Sequence, residues 1–413
     1  MPEFLELLNP TEALKILKDH LMNFSLGIET IKTAASHHRI ISSDVFSQEE
    51  VPSFSRSTVD GFAVRSKDTY GASESLPSFF EIIGEIKMGE AATLQIGVGE
   101  ACLIHTGGML PAGADAVVMV ENTQYSSDHE IEVYKSIPPS ENVILKGEDV
   151  KKDQLVLKAG TLMRSAEIGG LMALGITEIE VFKIPTIGII STGDEVIPPE
   201  KKPNLGQVRD INTYVLSSIV EKFGGKPKQY PIVKDNKKSL IETLKNAYSE
   251  NDMVIVTAGS SASVRDLTSE AINEIGSPGV LVHGINIKPG KPTILAVVNG
   301  KPIVGLPGNP VSAFVIAHVI LGNILPFIRG QKDSKNFFTT KALLTINISS
   351  MAGREDWVPV KLIGKNEDGQ TLVEPIFYKS NLIFSLLSAY GFARIDPDIT
   401  GLETYSEVEV III

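Results

Sequence analysis

One cysteine, Cys102, is all that the 413 residues contain. No intrachain disulfide can form and no Cys-rich zinc or iron–sulfur site can be built, so a reducing compartment is the natural reading. Basic residues are also short: 38 Lys and Arg stand against 50 Asp and Glu, a formal net charge of −12. That balance argues against nucleic acid as a partner, which calls for a basic face, and against anionic membrane surfaces. Small anionic substrates remain open, because a few cations in a cleft can outweigh the global charge locally. The His residues show no HExxH or comparable ligand spacing, and the adjacent His37 and His38 point in different directions on any regular element. Long hydrophobic runs are lacking too: none reaches the about 18 residues that a membrane span needs. The closest, residues 311–327, is interrupted by Ser312, His318 and Asn323 and reads as a buried helix. The opening Met1-Pro2-Glu3 has no basic segment leading into an apolar run, so no signal peptide is expected. A folded cytoplasmic protein is the expectation.

What is present falls into segments of different period. Residues 10–50 read as helical, with Ala13, Leu14, Ile16, Leu17 and Leu21 on one face after the Asn9-Pro10-Thr11-Glu12 start signal. From 51 to 147 short β-like runs take over (79–83, 101–105, 116–120, 131–134), divided by Gly, Pro and Asn turns. Residues 165–174 are helical again, so the β-rich block reads as an insertion within a discontinuous first domain. Beyond Pro185 strands and helices alternate, which predicts a doubly wound, mostly parallel α/β sheet. Short strands return after Lys341. The expected domains are 1–50 with 148–183 (elongated, helical), 51–147 (β-rich), 184–330 (α/β) and 331–413 (a second β domain).

The chemistry-bearing residues fall at the carboxyl ends of the α/β strands, where loops lead into helix N-termini and ligands bind in open sheets. They include Glu195 in Ser191-Thr192-Gly193-Asp194-Glu195, then Asp235, and Ser261 and Asp266 in the 257–266 loop. The last group is Pro307-Gly308-Asn309-Pro310 with Ser312. Small residues admit a phosphate to the backbone. The carboxylates make sense if a hard cation such as Mg²⁺ bridges them to it. Lys288 and Lys291, in Ile287-Lys288-Pro289-Gly290-Lys291-Pro292, read as a stiffened cationic clamp for an oxyanion. In the β-rich block and just after it, Asp60, Thr106 and Asp149 sit in polar Gly-bearing turns, and for Asp60 and Asp149 turn capping and a substrate role are equally open.

The order VDGFAVR, HTGGMLPAGADAVV, KGEDV, STGDE, DIN, IKPGKP and GLPGNPVSA resembles the molybdopterin molybdotransferase family over essentially the whole chain. The resemblance implies a four-part fold that ends in a C-terminal β-barrel-like domain. It also implies a homodimer whose site lies between the α/β domain of one protomer and the β-rich insertion of the other. The implied reaction takes molybdate and adenylylated molybdopterin as substrates and releases AMP, with a molybdopterin adenylyltransferase upstream. By motif, Glu195, Asp235 and Asp266 organise Mg²⁺ and the nucleotide phosphates, with Asp60 and Asp149 in support. Lys288, Lys291, Ser312, Arg354 and a hydroxyl such as Ser385 hold molybdate. Ser261 and the 307–310 turn cradle the pterin phosphate, and Thr106 contributes across the dimer.

The chain departs from the family pattern at one loop. Where SGGVSxGxxD is common, it reads Thr257-Ala258-Gly259-Ser260-Ser261-Ala262-Ser263-Val264-Arg265-Asp266, and two Gly positions carry Cβ atoms at Ala258 and Val264. The hydroxyl and carboxylate keep their spacing, which implies an adjusted loop. A pterin-binding scaffold without turnover and a tungstate-preferring insertase are the alternatives. The retained carboxylates favour the enzyme over the scaffold, and no residue separates the two oxyanions.

Overall fold

The computed structural model describes residues 7–258, 262–332, 337–377 and 379–413. Its centre is an α/β domain built from six strands: β1 (Thr186–Ser191), β2 (Lys226–Gln229), β3 (Met253–Ala258), β4 (Pro278–His283), β5 (Ile294–Val298) and β6 (Lys301–Pro307). They lie in the order β2-β1-β3-β6-β5-β4. The pairs β1–β2, β1–β3 and β3–β6 are parallel, whereas β5–β6 and β4–β5 are antiparallel. The sheet is therefore mostly parallel, as read from the βα alternation. The antiparallel edge was not legible there, because β4, β5 and β6 follow one another without intervening helices.

Both faces of this sheet are apolar and covered. Ile187, Ile189 and Ile255 pack with α1 (Pro10–His20), α3 (Asn212–Lys222) and α6 (Pro310–Ile328). Ile190, Val254 and Val256 point the other way, onto α4 (Lys237–Glu250) and α5 (Ala262–Ile275). Alternating side chains that are apolar on both faces are the mark of a strand buried in a doubly wound fold. Helix α6 is long and apolar enough to cross a membrane by composition, but 83% of its most apolar window is buried inside the protein. It is the core helix that the sequence suggested.

The helical reading of residues 10–50 holds only for α1. Asn9 caps that helix by accepting from the Glu12 amide at 2.8 Å, with Pro10 in its first turn. The helix ends at His20 and packs on the α/β core rather than forming part of an elongated helical segment. Beyond it, Ile28–Lys32 is a strand paired antiparallel with Glu178–Phe182, and Val45–Phe46 pairs with Leu155–Leu157. The β-branched side chains of Ile28, Thr30 and Ile31 favour extended backbone once a partner strand is available. The two flanks of the insertion do meet, through strands and not through helices. The flank after the insertion contributes helix α2 (Ser165–Ala173).

Within the insertion, Gly61–Val64, Ser78–Ile86, Glu100–Ile104, Ala116–Met119, Thr123–Ser127 and Glu130–Val133 form one six-stranded sheet. Phe62 and Val64 face one core cluster while Ala63 and Cys102 face another, so both faces are buried. At the C-terminus, Thr339–Leu344, Glu355–Lys365, Thr371–Pro375, Gly391–Ile395 and Glu407–Ile412 close into a five-stranded barrel. The short strand Ile287–Lys288 leaves the α/β domain to pair in parallel with Glu355–Asp356 of that barrel. This pairing builds the site.

Candidate functional site

Ile287–Lys288 aligns residue for residue with Glu355–Asp356, so the lysine turn and Arg354 are held side by side. The Asn286 side chain donates to the Gly353 carbonyl, and the Glu355 amide donates to the Asn286 carbonyl at 3.1 Å, fixing the junction. Gly290 closes the turn with φ +119°, and a Cβ there would overlap Ile316 of α6. Only glycine fits both demands. Thr293 Oγ1 donates to the Gly290 carbonyl at 2.7 Å from a fully buried position.

A cavity of about 500 Å³ opens at this junction, and Lys288, Lys291, Ser312 and Arg354 all line it, together with Trp357 and Ser380. Among the described residues neither lysine has a carboxylate partner, so both charges are available to a ligand. Arg354 is oriented by Asp356, which takes Nε at 2.6 Å and Nη2 at 3.0 Å in a two-point contact. Asp356 is 2% exposed, so its desolvated charge holds the guanidinium plane firmly. Three cations against one carboxylate, with a serine at the first turn of α6, make a receptor for an oxyanion.

A second cavity, of about 380 Å³, lies over the strand ends of β1, β3 and β6. Glu195, Gly308, Asn309 and Pro310 line it, as do Asp210 and Asn212. Pro307 is buried as the last residue of β6 and is not part of the lining. Asn309 and Pro310 start α6, so the loop needed for a helix start also shapes the cavity. Gly193 permits the preceding turn: at φ +145° a Cβ would crowd Val196 and the Glu195 carboxylate.

Asp235 lies beside Glu195 and Asp194. Burial and the charges of those two neighbours raise its pKa above the ordinary carboxylate value, and its Oδ1 is buried without a hydrogen-bond partner. Asp266 is exposed near the start of α5. Ser261 lies outside the described residues. Among the described residues no three His, Cys, Asp or Glu side chains gather closely enough to form a metal cage by themselves.

Ser385 lines neither cavity; its Oγ donates to the Leu382 carbonyl at 2.6 Å within a short 3₁₀ turn. Ser380 stands in the oxyanion cavity instead. It lies on an irregular segment where no periodicity marks one serine over another. Asp356 and Asn212 were also missed as individual site residues. Asn212 sat in plain view in the Asp210-Ile211-Asn212 motif.

Asp60 and Thr106 pair within the insertion. Asp60 accepts from the Thr106 amide at 2.7 Å and from its hydroxyl at 3.1 Å, and these bonds hold the Asp60 carboxyl below its usual pKa. His105 lies between two carboxylates, with Nε2 at 3.0 Å from Glu85 and Nδ1 at 3.8 Å from Asp60. Asp149 is exposed in a turn, its amide donating to the Val51 carbonyl at 3.1 Å. Among the described residues, no hydrogen bond or ion pair joins Asp60, Thr106 or Asp149 to the α/β loops of the same chain.

An open α/β sheet with a cavity over its strand ends, abutting a cationic cavity shared with a small barrel, has the form and charge to take small phosphorylated or oxyanionic ligands. Family comparisons specify which. Residues 8–175 match the MoeA N-terminal region (domain I and II), 188–329 a "Probable molybdopterin binding domain", and 341–413 the MoeA C-terminal region (domain IV). The chain is 31% identical over 362 residues to a molybdopterin molybdenumtransferase of Haemophilus influenzae, covering 88% of both chains. It is 34% identical over 304 residues to one of Staphylococcus epidermidis, covering 73% of this chain and 71% of that one. The crystal structure of a molybdopterin biosynthesis MoeA protein from Pyrococcus horikoshii superposes with a TM-score of 0.80 at 35% identity, covering 98% of this chain and 99% of that one. The chain belongs to the MoeA family of molybdenum cofactor biosynthesis.

Proposed function

We propose that the protein inserts molybdate into adenylylated molybdopterin with Mg²⁺-dependent release of AMP, acting as a cytoplasmic homodimer downstream of an adenylyltransferase. The observation that carries this reading is the convergence of Lys288, Lys291, Ser312 and Arg354 on one cavity, next to the strand-end cavity that holds Glu195. A tetrahedral dianion suits two unpaired ammonium groups, a guanidinium and a hydroxyl. The adjoining loops offer backbone donors to phosphate.

The residues around Asp235 suit a divalent cation. Its buried, unpartnered Oδ1 and the crowding of Asp194 and Glu195 would both be relieved by a positive charge. Glu195, Asp235 and Asp266 would hold Mg²⁺ in part, the usual arrangement being one or two carboxylates completed by substrate phosphates and water. Bound there, the ion would neutralise charge on the departing phosphate. The chain's own part is to position molybdate beside the dithiolene through the lysines and to hold the Arg354 guanidinium in one orientation through Asp356.

Asp60, Thr106 and Asp149 enter the reading through the dimer, since among the described residues no hydrogen bond or ion pair links them to the α/β loops of their own chain. Incubation with adenylylated molybdopterin, Mg²⁺ and molybdate should release AMP; no release above background would leave a scaffold. Tungstate in place of molybdate measures oxyanion preference. Mixing Asp60→Ala and Lys291→Ala proteins, with subunit exchange and at molybdate far below the KM of the Lys291 variant, should restore roughly a quarter of wild-type activity if one site draws on both protomers.

A further inference from the structure

Helix α1, helix α6 and the C-terminal barrel border a cleft that lies apart from the α/β strand ends. Its volume is about 890 Å³, and Leu14, Lys18, Phe327, Phe337, Trp357 and Ile411 are among its walls. Consecutive residues of a strand point to opposite faces. Arg354 and Asp356 line the oxyanion cavity, whereas Glu355 lines this cleft and Trp357 borders both.

Lys18 is the half-buried cation in this cleft that lacks a counter-charge. Among the described residues no carboxylate pairs with it, and burial pushes its pKa below the ordinary lysine value. Its Nζ stands 5.7 Å from the centre of the Phe327 ring, within cation–π range. The buried carboxylate of the cleft is committed elsewhere. Glu355 accepts from Trp357 Nε1 at 2.6 Å and pairs with Arg394 Nη2 at 3.2 Å. Lys15, Asp19 and Glu409 also line the cleft but are exposed, so water and salt screen their charges more than that of Lys18.

The rest of the wall narrows the ligand. Phe337 and Trp357 meet edge to face at 6.2 Å, and Phe327 and Phe337 are only half-buried. A bare oxyanion would gain nothing from these rings and would leave most of the volume to water. A flat apolar body carrying one negative group answers both the rings and the ammonium. We infer that the cleft is a second ligand site, taking a small aromatic carboxylate whose ring packs on Phe327, Phe337 and Trp357 while Lys18 pairs with the carboxylate. The inference is independent of the reaction proposed above.

The test is calorimetric titration of the full chain with 1-naphthoate, with 1-naphthamide and with 1-naphthylmethylammonium. Wild-type protein should bind naphthoate at least about tenfold more tightly than the amide, the scale of one charge-assisted hydrogen bond, and the ammonium most weakly. Lys18→Met should bring the acid-to-amide ratio close to one, and Lys18→Arg should keep it well above one. Lys291→Ala should leave naphthoate binding unchanged, and molybdate should not displace the naphthoate. Melting curves of the Lys18 variants, expected close to wild type for a half-exposed side chain, confirm that the fold persists. No binding of naphthoate, equal affinity for acid and amide, or a preference that survives Lys18→Met overturns the inference. Displacement by molybdate or loss of binding in Lys291→Ala also overturns it, because the probe would then sit in the oxyanion cavity.

Discussion

Asn309 Nδ2 donates to Ser380 Oγ at 3.2 Å, joining a residue that lines the strand-end cavity to one that lines the oxyanion cavity. The Val311 amide also donates to the Ser380 carbonyl, at 3.0 Å. The start of α6 and the segment before the last barrel strands are thus tied where the two candidate sites approach each other. Ser380→Ala should lower kcat/KM for molybdate by about tenfold, one hydrogen bond's worth, and leave thermal stability nearly unchanged. Steady-state kinetics with varied molybdate, beside a melting curve, check this.

Lys291 is exposed and has no ion-pair partner among the described residues, so its removal strands no buried partner there. Lys291→Ala should raise the molybdate KM at least about tenfold with a melting temperature close to wild type. Arg354→Ala should differ by also destabilising the protein, because Asp356 would be left buried without its cation. An Arg354 variant as stable as the Lys291 variant would show that Asp356 does not depend on the pair.

Gly290 answers two constraints, a positive φ and the approach of Ile316. Gly290→Ala should cost about 2–4 kcal/mol through overpacking and backbone strain, and should weaken molybdate binding because the flanking lysines shift. Urea unfolding and a molybdate titration on the same variant measure both. Unchanged unfolding would mean that α6 yields without cost.

His318 is buried in α6 among Phe314, Phe223 and Phe392, and burial lowers its pKa to about 4. Its Nδ1 lies 2.9 Å from the Phe314 carbonyl, the arrangement of a neutral ring donating along its own helix. The unfolded chain takes up a proton near pH 6.5 and the folded chain does not until about pH 4. Stability therefore falls as pH drops through that window, by up to about 1.4 kcal/mol per unit from this group. His318→Leu should flatten the stability profile between pH 6.5 and 5 relative to wild type. Parallel profiles would place the acid sensitivity elsewhere.

The linear sequence was enough to locate the strand-end loops, because a strand's apolar run and the helix start after it are local signals. Asn309-Pro310 before an apolar stretch and the stiff Lys288–Pro292 turn could be seen without knowing what they face. Helix α1 was legible from its cap and its period, but its place on the α/β core was not. Which element covers which depends on apolar faces distant in the chain.

The tertiary structure alone decided that Lys288 lies against Asp356, that Ser380 and not Ser385 enters the oxyanion cavity, and that Lys18 shares a cleft with Trp357. Each of these follows from pairing across long sequence separations, where many registers share the same local preferences. Only closure of the barrel and burial of both sheet faces select one of them.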